Sequence, residues 1–121
     1  VELRPGGTVL VGEPFWRVDP PDQETVEDCS ATSRDDYADL PGLVGLFGRH
    51  GWDVIEMVLA DEDSRDRYVA AQWAPTRTWL DAHPGDELAG AMRAELDEAP
   101  LRYVRHLRPH LGWGVFALRR R

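Results

Sequence analysis

Leu3-Arg4-Pro5-Gly6-Gly7-Thr8-Val9-Leu10-Val11-Gly12-Glu13-Pro14-Phe15-Trp16 is the stretch whose reading decides the fold. Pro followed by two Gly marks a turn, because Pro presets φ and Gly accepts the left-handed region. Thr8 to Glu13 is then a short, β-branched apolar run bounded by Gly. Such a run predicts a strand covered on both faces, the kind found in α/β sheets.

Outward from this strand, residues 17–40 are rich in Pro and Asp with little apolar periodicity. They read as a long loop with room for a short helix, and loops of that length tend to be functional or disordered. Leu40, Leu43, Val44 and Phe47 recur at helical spacing behind Pro41, and Gly48 and Gly51 bracket the stop. Val54 to Ala60 is a second apolar strand. Asp61 to Ala82 reads as helix, with Pro75 expected to kink or divide it. Leu88, Met92, Leu96, Ala99, Tyr103 and Leu107 form one stripe of a 3.6-residue period, with Pro100 expected to bend it. Gly112 to Leu118 is a third strand. The helix between the first two strands is long enough for a crossover, so those two strands can run parallel.

The 121 residues make one domain with an ordinary soluble composition. No apolar run reaches the ~20 residues of a membrane helix. The stretch from Val1 to Gly7 has no apolar run and does not read as a secretory leader. Cys29 is the single cysteine, so no intrachain disulfide is expected and the cytoplasm is the default compartment. A formal net charge of −8 repels phosphate backbones and argues against a nucleic-acid partner. Eight acids against one Arg between Asp19 and Asp39, and six Arg with no acid from Leu101 onward, read first as solvated surface.

The Pro-Gly-Gly turn with Val9 to Trp16, the helix Pro41 to Gly48, the strand Trp52 to Ala60 and the closing Gly112-Trp113-Gly114-Val115-Phe116 occur in an order that resembles the class I S-adenosylmethionine-dependent methyltransferases. The resemblance covers the C-terminal half of that fold. It implies an α/β, partial Rossmann-like architecture over residues 1–121. Its three-stranded mixed sheet is expected in the family order 5-7-6, with the last strand antiparallel. Residues 61–110 then resemble a helical insertion between the last two strands. The family's Gly-rich turn and ribose-binding acid have no counterpart here. S-adenosylmethionine is therefore expected as cofactor of the complete fold, with no cofactor-binding residue in this chain. The missing strands are expected from a preceding N-terminal half or from another chain. The bare first strand makes a homodimer, or a fold-back of the 17–40 loop, the expected cover. The implied substrate is a small-molecule methyl acceptor; the alternative is a non-catalytic interaction domain that kept this half of the fold.

Ligands of open α/β sheets bind outside the carboxyl ends of the parallel strands. That rule, applied to the resemblance, puts Glu13 forward as a catalytic base or substrate contact. Phe15, Trp16, Tyr68, Gln72, Trp73 and Trp113 are put forward as substrate-pocket residues. His50 precedes the second strand and is expected at the opposite end. His106 and His110 have the four-residue spacing of a metal pair, but Pro109 and the want of a third ligand argue for no metal. Cys29 has no basic neighbour in sequence, which argues against a nucleophile.

Overall fold

The computed structural model describes residues 3–121. Val1 and Glu2, which open the stretch compared above with a secretory leader, lie outside the described residues. The turn is as the sequence reads: Gly7 N–H donates to the Arg4 carbonyl at 2.8 Å, with Pro5 second and Gly6 third at φ 76°. That is the type II arrangement, in which only the third residue needs positive φ. Strand β1 then runs Thr8–Trp16, longer than the apolar core of the run. Strand β2 is Trp52–Leu59 and β3 is Leu111–Arg120.

The sheet order is β1-β3-β2, with β3 antiparallel to both neighbours. β1 and β2 therefore run parallel with the last strand between them, the arrangement the resemblance implied. β2 carries a bulge at Ile55, where pairing jumps from Val54↔Leu118 to Glu56↔Ala117.

Between β1 and β2 lies α2 (Leu40–Arg49). Asp39 caps it by accepting from Gly42 N–H at 2.8 Å, and Pro41 occupies its first turn. Its apolar stripe puts Leu43 against Phe15, Phe116 and Leu118, the buried centre of the sheet, and Phe47 packs on Phe116. Gly51, at φ 83°, then takes the left-handed position between the helix and β2. The opposite sheet face is largely uncovered: Leu10 is 71% and Val58 60% exposed.

The Pro- and Asp-rich segment is ordered, with a six-residue helix α1 (Gln23–Asp28) and a 3₁₀ turn at Arg34–Asp36. Its order comes from a second small core of Trp16, Val26, Cys29 and Ala31, joined by Tyr37, Leu107 and Leu111. These apolar residues are too sparse to show periodicity, so the sequence reads as loop. The segment returns to β1 only at its end, where Trp16 N–H donates to the Ala38 carbonyl at 2.9 Å. Among the described residues, Thr8 to Phe15 pair on one side only, with β3.

Between β2 and β3 lie α3 (Glu62–Ala70), α4 (Trp73–Ala82), α5 (Ala89–Arg102), a π-helical turn (Tyr103–Leu107) and a last turn α6 (Arg108–His110). The break falls at Ala71-Gln72 and Pro75 sits in the first turn of α4, where a missing N–H costs nothing. Just after Pro100, the ladder widens. Arg108 N–H donates to the Tyr103 carbonyl, five residues back. Leu88, the first residue of the predicted apolar stripe, stays mostly exposed, whereas Tyr103 is buried.

Two glycines of β3 decide whether the sheet can close. A Cβ at Gly112 would lie 2.5 Å from the Phe15 ring, and one at Gly114 would lie 2.8 Å from Leu59 and 2.9 Å from the Phe116 ring. Gly112→Ala is therefore expected to cost roughly 1–3 kcal/mol by overpacking. A urea titration should show a lower midpoint with unchanged slope; an unchanged midpoint would show that Phe15 can move aside.

Candidate active-site cleft

β2 ends where β3 begins. Leu59 pairs with Gly114, and Ala60 N–H donates to the Trp113 carbonyl at 3.0 Å. A tight hairpin of a few residues could join such ends. The chain instead places the inserted helices there. Asp61 caps α3, accepting from Ser64 N–H at 2.7 Å, and Glu62 and Asp63 favour the positive end of the helix. The cap sets α3 going directly from the carboxyl end of β2. Ser64, Arg65, Tyr68 and Val69 form one face of that helix.

This face and the start of β3 enclose a cleft of about 500 Å³. Ala60, Tyr68, Val69, Leu111 and Trp113 make its walls apolar, and Arg65 is its charged lining residue. Arg17, just past β1, donates to the Arg108 carbonyl at 3.1 Å and pairs with Glu62 at 3.3 Å. Arg108 pairs with Glu62 at 3.3 Å and Asp66 at 3.1 Å, and the Tyr103 hydroxyl donates to Asp66 at 2.7 Å. The Tyr103 and Arg108 hydrogen bonds hold the Asp66 carboxyl below its usual range. Burial, then the bond to Asp66, pushes the Tyr103 phenol up to about 12. Burial also lowers Arg65, since it disfavours the charged form.

Tyr68 and Trp113 stand on the cleft wall, 75% and 44% exposed. Phe15 and Trp16, expected on the pocket wall, are directed inward. Phe15 fills the space over Gly112 in the sheet core. Trp16 anchors the second core, its Nε1–H donating to the Arg34 carbonyl at 2.8 Å and its ring edge-on to Tyr37. Trp73 packs between inserted helices against Tyr103, and Gln72 is an exposed residue at the start of α4. Glu13 is exposed on β1 opposite Gly114 and lies outside the cleft lining. His50 ends α2 at the far end of the sheet. Arg65, which sequence reasoning passed over, was detectable only as a neighbour of Tyr68 on one helix face.

The two histidines do not form a pair. His110 Nδ1 meets the His106 carbonyl at 2.8 Å. His106 instead bridges the insertion to α1, with Nδ1 at 3.0 Å from the Thr25 hydroxyl and Nε2 at 3.2 Å from Asp28. Glu24 lies 3.9 Å from Nε2, so the three side chains have metal-like spacing. Both ring nitrogens of His106 thus have protein partners, Thr25 on α1 at one and Asp28 at the other.

Five of the glycines are placed by turns or by close packing. Gly6 and Gly51 have positive φ but precede strands, while the surfaces of Gly12, Gly112 and Gly114 are filled by Trp113, Phe15 and Phe116 or Leu59. A Gly-rich phosphate or nucleoside turn follows a strand and leaves its backbone open.

A methyltransferase from Geobacter sulfurreducens, solved in complex with S-adenosyl-L-homocysteine, superposes with a TM-score of 0.94 at 54% identity. The match covers 98% of this chain and 48% of that one. This chain shares its sequence and its fold with one half of that S-adenosylmethionine-dependent methyltransferase. A second such structure, from Thiobacillus denitrificans and also with S-adenosyl-L-homocysteine, gives a TM-score of 0.95 at 51% identity, covering 98% of this chain and 48% of that one. The uncharacterized protein YjhP of Escherichia coli K12 is 53% identical over 116 residues, 96% of this chain and 47% of its own length. The chain thus spans about half the length of these relatives, and its strand pattern is consistent with the C-terminal half of the class I methyltransferase fold. No protein-family profile matches it. Among the described residues no helix is long and apolar enough to cross a membrane.

Cys29 gives a test of the packing beside the site. Burial, then the charge of Asp28, pushes its thiol from an ordinary 9.0 up to about 11. The folded value is the higher one, so its contribution to stability is full below about pH 9 and is lost as pH rises through about 11. The native protein is expected to resist a thiol reagent near pH 8 and to react promptly in denaturant. Prompt reaction of the native protein would show that the second core opens readily.

Proposed function

We propose that this chain forms the substrate-side half of an S-adenosylmethionine-dependent methyltransferase acting on a small molecule. The observation that carries the reading is the position of the cleft. It opens at the carboxyl ends of the parallel strands β1 and β2, where ligands of α/β sheets bind. The helices that wall it are not needed to join β2 to β3, which favours a role in holding substrate. Tyr68 and Trp113 would grip the acceptor and exclude water. S-adenosylmethionine, when bound to the complete fold, would supply the methyl group, and the residues of this cleft would hold the acceptor. The reading places the protein in the cytoplasm.

Titration calorimetry of these 121 residues with S-adenosylmethionine is expected to show no saturable heat below about 1 mM. With the relatives' remaining region supplied, in the same polypeptide or separately, Tyr68→Ala and Trp113→Ala should each lower kcat/KM by about tenfold or more, ~1.4 kcal/mol. His50→Ala should be nearly silent. Micromolar cofactor binding by the 121 residues, or a larger loss from His50→Ala, would move the site elsewhere.

A second reading, an interaction domain, is favoured by the open β1 edge beside the uncovered face of Leu10, Val58 and Val115. Unpaired apolar edges recruit partners. Light scattering is expected to show self-association, reduced by Leu10→Lys. A monomer at every concentration, with Val9 and Val11 amides exchanging rapidly, would count against it.

A further inference from the structure

We propose that the cleft selects an apolar small molecule carrying an anionic oxyacid group, a carboxylate in particular, with Arg65 as the residue that holds it. The proposal rests on the reading of the cleft as the acceptor site and narrows the class of acceptor.

Its first support is a mismatch between the walls and the one charge. Tyr68, Val69, Leu111 and Trp113 offer carbon surface, and Arg65 stands among them. A guanidinium drawn from water into such surroundings costs free energy unless an anion compensates it. Burial is the largest influence on Arg65 and lowers it, the neighbouring Arg17 charge acts in the same direction, and Tyr103, Asp66 and Glu62 act against them.

The second support is how the neighbouring charges are assigned. Arg17 and Arg108 share Glu62, each at 3.3 Å, and Arg108 also holds Asp66 at 3.1 Å. The Tyr103 hydroxyl occupies Asp66 as well. Arg65 has no carboxylate within ion-pair distance among the described residues. Its hydrogen bond is a long one, from Nη2 to the Leu107 carbonyl at 3.4 Å. Glu62 and Asp66 are thus paired with Arg17 and Arg108, and Arg65 is left without an ion pair among the described residues. The protein around it has a formal net charge of −8. A lone positive site on an acidic molecule discriminates strongly by charge, since the remaining surface repels the same ligand.

The third support is geometry. A guanidinium presents parallel N–H donors that match the two oxygens of a carboxylate, an arrangement the point charge of Lys cannot reproduce. With one N–H turned to Leu107, the other donors of Arg65 remain. A volume of about 500 Å³ suits a drug-sized molecule. The aromatic surfaces of Tyr68 and Trp113 suit a flat or branched carbon body.

The test uses matched probes and the full chain. 1-Naphthoate and the neutral 1-naphthylmethanol share a ring system and differ in charge, and phenylphosphonate asks whether a phosphorus oxyacid serves equally. In calorimetric titration near pH 7, naphthoate is expected to bind about tenfold or more tightly than the alcohol. Phenylphosphonate should bind no better than naphthoate. Arg65→Gln should abolish the preference while leaving the alcohol's affinity within about twofold, which also shows that the variant is folded. Arg65→Lys should restore part of the preference, and Arg49→Gln, on the far helix α2, should leave it intact. Equal binding of both naphthalene probes, binding of neither, or a preference that survives Arg65→Gln would overturn the proposal. So would a clear preference for phenylphosphonate over naphthoate. No methyl transfer is read in these titrations. Probe selection without turnover in the complete fold would count against the methyltransferase reading alone, and turnover on a neutral acceptor without probe selection would count against this one.

Discussion

Strand β3 has to fit between two strands that run the same way, and the contact that permits it is the Phe15 ring over Gly112. Phe15 fills the space a side chain at 112 would need, and Leu59 and Phe116 do the same at Gly114. Glycine costs conformational entropy in a strand, so its repetition here reflects close approach and not propensity. The rings it admits form the centre of the sheet core, which Leu43 and Phe47 of α2 close from one side. Without that approach β1 and β2 would have no common neighbour, and α2 would lose its floor.

The same placement creates the cleft. Because β3 is antiparallel, it starts at the end of the sheet where β2 stops, and both lie beside the end of β1. The insertion leaves and returns at that end. Its helices contribute little to the core: apart from Tyr103 none of their described residues is buried. A segment that does so little for the core and still encloses apolar surface beside the strand ends is more readily explained by what it encloses. Its low burial also makes it the part of the chain that should open most easily.

Charge plays a supporting part. The acidic loop meets the arginine-rich end where Asp28 approaches His106, and Arg108 of that end pairs instead with the acids of α3. Most of the remaining pairs, including Arg77–Asp81 and Arg93–Asp97, are well exposed and contribute at most a few tenths of a kcal/mol each, about 0.3–0.5. The acids that cap α1, α2 and α3 have a more specific role, since Asp22, Asp39 and Asp61 each take a backbone N–H at the point where the helix must begin.

The sequence by itself determined the turn at Pro5-Gly6, the three strands, α2 and the helical character of the insertion, because each rests on local chemistry or short-range periodicity. With the resemblance it also led to the strand order, and it placed Trp113 and Tyr68 near the strand ends. Only the tertiary structure decided which aromatic residues face inward. Phe15 and Trp16 sit at the expected end of β1, but a strand residue's surroundings depend on what packs over it. Gly112 and the scattered residues Val26, Cys29 and Ala31 lie far away in sequence or lack any period. Order in the 17–40 segment was hidden for the same reason. That Arg65 makes no ion pair among the described residues was equally invisible, since Glu62 and Asp66 pair with Arg17 and Arg108 from distant elements. Local pattern reports how a backbone bends; which groups share a low-dielectric space depends on long-range packing that no window of sequence contains.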